Sequence, residues 1–276
     1  MKVRAGLLLV LLLGYGLLYA EEAQSFRQRA WQQQYAFSEN DIRAEIQFGR
    51  NLAARILSRY KMNQEERMNR YVALMGSGLA AQLGRNELTW HFGVLDTDDI
   101  NAYACPGGYV FITRGAIQKM TNEAELAGVL AHEIGHVNLR HVVQALNIKG
   151  KNDSTSATLA QLIGGSTESF RVVFDQLTEQ AYKLLFEQGL EQKDEFEADS
   201  YAAQSLVSTN YQVQPYLDYL EKLTPVSGNT VTVLSKTHPS PAQRVLKLQE
   251  WSIAENVNTT PGKINQKRFY DTLHQQ

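Results

Sequence analysis

The sequence predicts an α+β fold, mostly helical, with a small β-sheet beside one long helix. Three observations carry this. Apolar residues recur at helical spacing along most of the chain. Runs rich in aromatic and branched residues lie between Leu88 and Thr113. A long apolar helix, opened by Asn122 with Glu125 three residues on, follows those runs.

Taken in order, Ser38 and Asp41 resemble a capping box for a first helix, with Ile42, Ile46, Leu52, Ala53, Ile56 and Leu57 at helical spacing. A second helix is expected over 64–83, with Met68, Tyr71, Val72, Met75 and Leu79 on one face and Gly84 ending it. Residues 88–95 and 109–113 read as strands, separated by a polar turn at 96–99 and introduced the second time by Gly107-Gly108. The long helix should run from 122 to about 146. Residues 148–167 hold polar and glycine-rich clusters and read as a mobile loop, a candidate lid. Further helices are expected at 168–188, 191–208, 214–223 and 240–251. The last twenty or so residues show no pattern, and no repeat of solenoid period appears.

Composition narrows the function classes. Of 276 residues, 43% are hydrophobic and 20% charged, which excludes a disordered chain. A net charge of −2 gives no basic excess for nucleic acid. Lys2 and Arg4 precede an apolar run over 5–20, followed by Glu21-Glu22. This reads as a secretory signal, shorter than a spanning helix. Cleavage after Ala20 fits best, although Leu18 stands where a small residue is preferred and leaves an uncleaved anchor open. The expected layout is a signal at 1–20, a flexible lead-in at 21–37, a main domain at 38–252 and a tail at 253–276. Cys105 is the single cysteine, so no intramolecular disulfide forms and a metal site must use His and carboxylates. It reads as a small packed hydrophobe.

The strongest chemical signal is His132-Glu133-Ile134-Gly135-His136. Positions i and i+4 share a helix face, so both imidazoles can reach one zinc ion, while Glu133 is free to take a proton from water. A catalytic zinc needs a third protein ligand. Glu195 in the next acidic helix is the candidate, and Asp199, one turn on, can receive the free ring N–H of a ligating histidine. Glu197 should face away. His238, in a Pro-rich loop before a helix, is a candidate fourth ligand or oxyanion contact, and Arg244 a candidate for stabilising negative charge. The plain alternatives are a chance His pair, an acidic helix surface, and a loop His with a surface Arg. His141 reads as structural, well around the helix from the ligand face. His91 reads as a cross-strand polar residue.

Four stretches taken together resemble the gluzincin metallopeptidases of the HtpX-like and CAAX-prenyl-protease-like family: NAYACPGGYVFITRGAI (101–117), ELAGVLAHEIGHVNLRH (125–141), DEFEADSYA (194–202) and THPSPAQR (237–244). The resemblance implies a zincin-type fold with one zinc per chain on His132, His136 and Glu195. It implies Glu133 as base, Asp199 in support, and His238 and Arg244 beside the cleft, His238 holding some exported members quiet. It makes GGYVFIT the edge strand that grips an extended peptide. It further implies an exported, periplasmic endopeptidase acting on misfolded or stalled envelope proteins. Some exported relatives carry C-terminal helical repeats and work with outer-membrane barrel-assembly machinery, and this C-terminal segment is too short for such repeats. The rival reading is a chaperone-like binding factor with a latent metal site.

Overall fold

The computed structural model describes residues 38–83, 85–146, 168–223, 237–255 and 261–274. The expected signal, lead-in, Gly84 stop and 148–167 loop lie outside them. No helix among the described residues is long and apolar enough to cross a membrane.

Helix α1 (Glu39–Arg59) opens on the expected capping box: Ser38 Oγ accepts from the Asp41 N–H, and the Asp41 carboxylate accepts from the Ser38 N–H. It buries Phe48, Leu52 and Ile56. Helix α2 (Glu66–Leu83) buries Met68, Tyr71, Val72 and Leu79. Three strands follow: β1 (His91–Leu95), β2 (Ala102–Cys105) and β3 (Tyr109–Thr113). Their order is β1-β3-β2, with β1 parallel and β2 antiparallel to β3. His91 stacks on its register partner Tyr109, as a cross-strand residue should.

This sheet corrects the expected one in two ways. Residues 102–105 form a strand that their small side chains did not announce. As a result β3, which holds YVFIT, is the centre of the sheet and β2 is the edge. The cause is the reversal at Pro106-Gly107-Gly108. Gly107 and Gly108 take φ of 76° and 95°, which folds AYAC back onto YVFIT across a three-residue turn. Helix α1 lies directly on this turn. A Cβ on Gly49 would stand 1.6 Å from the Pro106 carbonyl oxygen, so only glycine permits the contact.

Alternation along the strands then covers both faces of the sheet. Val94, Ala102, Ala104, Val110 and Ile112 join the larger core, under α2 and the metal-motif helix. Leu95, Tyr103, Cys105 and Phe111 join a second core under α1. Burial on both faces explains why the strands read as nearly continuous apolar runs. Cys105 sits fully buried in the second core, and burial pushes its thiol up, out of the reactive range.

After a short α3 (Arg114–Gln118), helix α4 (Glu123–Asn138) carries the HEIGH sequence. Asn122 caps it by accepting from the Glu125 N–H. It does not run to 146. It ends at Asn138, Arg140 takes a left-handed φ of 55°, and a separate α5 (His141–Ala145) begins. The break is tied to charge: Arg140 and Arg85 converge on the buried Glu45 of α1.

Helix α6 (Glu168–Lys183) passes into a π-helical turn at Leu184–Gln188. Helices α7 (Gln192–Ser208), α8 (Gln214–Lys222) and α9 (Pro241–Ala254) follow. A last helix, α10 (Gln266–His274), was not legible in the sequence. It has one well-buried apolar anchor, Phe269, and is held by Arg268 pairing with the buried Glu123 at the start of α4. A single anchor leaves little period to detect.

Candidate metal centre

Helix α4 is buried nearly all round, so its polar side chains face protein rather than water. His132 and His136, one turn apart, stand edge to face with ring centroids 4.6 Å apart and Nε2 atoms 3.0 Å apart. Helix α7 packs along α4 on small residues, Ala198, Ala202 and Ala203, each fully buried. In turn Gly135 of α4 lies against the Tyr201 ring. That close approach brings Glu195 to the pair: its Oε2 is 3.6 Å from His132 Nε2, and its Oε1 3.6 Å from His136 Nε2. The loop before α9 adds His238, whose Nδ1 is 2.6 Å from Glu195 Oε2. His132, Glu195 and His238 offer ligand atoms within 4.8 Å of one another.

The donor set fits a zinc ion. Glu195 is wholly buried, and its Oε1 has no hydrogen-bond partner among the described residues. A buried carboxylate oxygen without a donor costs free energy that a cation would offset. Two imidazole nitrogens and a carboxylate are the ligand types zinc takes at a catalytic site. Burial works against the Glu195 charge, yet His238 and His132 hold its carboxyl well below the usual range. Burial pushes His136 well below the usual imidazole range, which keeps it neutral and able to donate a lone pair.

Behind His132 lies a second layer. Asp199 Oδ1 is 3.0 Å from His132 Nδ1. Arg244 grips Asp199 through Nε at 2.9 Å and Nη2 at 2.6 Å, and Tyr216 donates its hydroxyl to Asp199 Oδ1 at 2.8 Å. Arg244 Nη2 also donates to the Tyr216 oxygen at 3.0 Å. Burial opposes the Asp199 charge, but Arg244 holds the carboxyl far down. The guanidinium of Arg244, expected to meet developing negative charge, is thus engaged behind the histidine pair. Tyr216 was missed in the sequence, where it is one more apolar position of α8.

Two other expectations change. Because the chain breaks at Arg140, His141 turns back onto the site, with its Nδ1 2.8 Å from His136 Nδ1. Glu197 does not face away, since its Oε2 lies 3.3 Å from His141 Nε2. The first follows from assuming one unbroken helix to 146, the second from placing Glu197 only by its spacing from Glu195.

Glu133 lies between two hollows that run along β2. One is walled by Ile100, Ala102, Val129, Leu220 and Leu223. The other is walled by Ala104, Leu184, Leu185 and Leu190. Burial pushes the Glu133 carboxyl above the usual range. Just before β2 the Asn101 carbonyl accepts from the Thr113 N–H, so antiparallel alternation turns the Ala102 carbonyl and both backbone groups of Ala104 toward the edge that no strand covers among the described residues.

A sheet lying beside a helix with His-Glu-x-x-His, crossed by a second helix bearing a buried glutamate, is the zincin arrangement of metallopeptidases. The chain belongs to peptidase family M48, whose sequence profile matches residues 66–252. It is 26% identical over 224 residues to a beta-barrel assembly-enhancing protease of Escherichia coli O157:H7, covering 74% of this chain and 43% of that protein. It is 30% identical over 189 residues to a beta-barrel assembly-enhancing protease of Yersinia pestis, covering 64% and 37%. It is also 26% identical over 168 residues to the mitochondrial metalloendopeptidase OMA1 of Arabidopsis thaliana, covering 61% and 33%. The chain therefore spans less than half the length of each of these relatives.

Proposed function

We propose that this protein is a zinc-dependent endopeptidase of 38–252 domain extent, exported to the periplasm, that cleaves misfolded or stalled envelope proteins. One observation carries the reading: His132, His136 and the orphaned oxygen of Glu195 converge beside the buried carboxyl of Glu133. His132, His136 and Glu195 would hold the metal. The chemistry zinc supplies there is Lewis acidity toward a peptide carbonyl and a lowered pKa for water.

The chain's own groups do the rest. Glu133 takes a proton from the attacking water and delivers it to the leaving amine nitrogen. Asp199, fixed by Arg244 and Tyr216, accepts the His132 Nδ1–H and sets that ring's tautomer and orientation. The free edge of β2 offers main-chain hydrogen bonds to an extended peptide, while the two apolar hollows receive its side chains. His238, bonded to Glu195, stands over the site and holds the resting enzyme quiet. Protein chains are the general substrate class. Assembly of β-barrels is the process that the names of two relatives suggest for this one.

The test is zinc content and casein cleavage for wild type, Glu133→Gln and His238→Ala. About one zinc per chain, with cleavage lowered at least about 100-fold in Glu133→Gln while zinc stays, is expected. His238→Ala should cleave faster than wild type. Cleavage indifferent to Glu133 would overturn the mechanism and leave a chaperone-like binding factor.

A further inference from the structure

The second histidine of the motif has its own supporting layer, built from the residues that the sequence pattern left aside. His136 Nδ1 meets His141 Nδ1 at 2.8 Å, and His141 Nε2 meets Glu197 Oε2 at 3.3 Å. His141 is 1% exposed, so its ring has no water to turn to. Asp194, itself buried, adds a carboxylate within 4.8 Å of the His141 and Glu197 ligand atoms.

Elementary hydrogen-bond logic orders this chain in one direction. Two Nδ1 atoms at 2.8 Å need a single hydrogen between them. If His136 gives its Nε2 lone pair to a metal, its hydrogen is on Nδ1 and points at His141. The Nδ1 of His141 must then be a bare acceptor. Its hydrogen is on Nε2, facing the Glu197 carboxylate. The left-handed turn at Arg140 makes this geometry available, because it swings His141 off the α4 axis and back under His136.

We propose that His141 and Glu197 form a relay that fixes the tautomer and orientation of His136, as Asp199 and Arg244 do for His132. His141 is a positioning residue, acting through His136 rather than on substrate. The two histidine ligands are thus held from behind by separate devices, one based on α7 and α9, the other on α5 and α7. The inference rests on the reading of His136 as a zinc ligand.

The experiment measures zinc affinity of the full chain by competition with a chromogenic chelator. The metal-free fold is checked by circular dichroism and thermal unfolding. His141→Leu strands the His136 Nδ1–H and should weaken zinc binding about 10- to 100-fold. His141→Gln, which can accept from His136 and donate to Glu197, should stay within about threefold of wild type. Glu197→Ala, at a half-buried position, should weaken binding in the same direction by less, and it decides the matter if His141→Leu does not fold. A folded His141→Leu protein with wild-type zinc affinity overturns the relay. So does a wild type holding two zinc ions per chain, one of them lost in Glu197→Ala, since the cluster would then be a second metal site. A wild type that binds no zinc removes the parent reading instead.

Discussion

Arg244 binds both oxygens of Asp199, and Asp199 in turn faces the Nδ1 of His132, so a residue of α9 sets the ring of a histidine on α4. All three side chains are buried. Removing the guanidinium leaves an unpaired buried carboxylate, which typically costs about 3–5 kcal/mol. Arg244→Leu should therefore lower the melting temperature of the metal-free protein clearly. Asp199→Ala should instead weaken zinc binding, about 10- to 100-fold by chelator competition. An unchanged melting curve for Arg244→Leu would show that the pair is not what holds α9 to α7.

Tyr216 reaches Asp199 only because α4 has no side chain at Gly128. A Cβ there would come within 2.5 Å of the tyrosine ring. Gly128→Ala should push the ring aside and break its bond to Asp199, although alanine is the better helix former. The expected result is a loss of both stability and cleavage. A more stable, fully active Gly128→Ala enzyme would contradict this packing.

The hollows on either side of Glu133 are walled by leucine, isoleucine and valine. Fully burying one large aliphatic side chain contributes about 1.5–3 kcal/mol, or roughly 10- to 150-fold in kcat/KM. Peptides with Leu or Phe flanking the cleaved bond should be cut faster than their Ser counterparts by such factors. Val129→Phe should narrow one hollow and shift its preference toward Ala. Equal rates for Leu and Ser peptides would rule out side-chain recognition there.

Acid sensitivity has a definite source in Glu45. Burial opposes its charge, but Arg85 and Arg140 hold its folded carboxyl below the ordinary 4.5. A depressed folded pKa stabilises above the unfolded value and ceases to do so as pH falls through the folded one. The melting temperature of the metal-free wild type should thus fall on going from about pH 5 to about pH 3. Glu45→Gln should start lower and show a shallower decline. A parallel decline would place the acid sensitivity elsewhere.

The sequence revealed this site unevenly, for physical reasons. His132, His136, Glu195 and Asp199 are legible because each pair is one helical turn apart, and a period is a local property. Arg244 is legible from the Pro-rich His238 stretch that leads into its helix, though its direction is not. Tyr216, His141 and Glu197 depend on how elements pack. The first is set by the α4–α8 approach at Gly128 and the other two by the left-handed residue at 140. Likewise β2 has no strand signature of its own, and it exists because two glycines turn it against β3.

The carboxylate of Glu123 carries one last consequence. It opens the helix that bears the two histidines, and it receives bonds from Tyr71, Tyr211, Asn265 and Arg268. Arg268 lies 145 residues downstream. During synthesis, the HEIGH segment leaves the ribosome long before the cation that neutralises its first turn exists. The sheet can collapse early, but the Glu123 carboxylate at the start of the histidine helix lacks the cation for its burial until residue 268 has been made. The segment that carries Arg268 thus sets when the histidine helix can settle into its buried place.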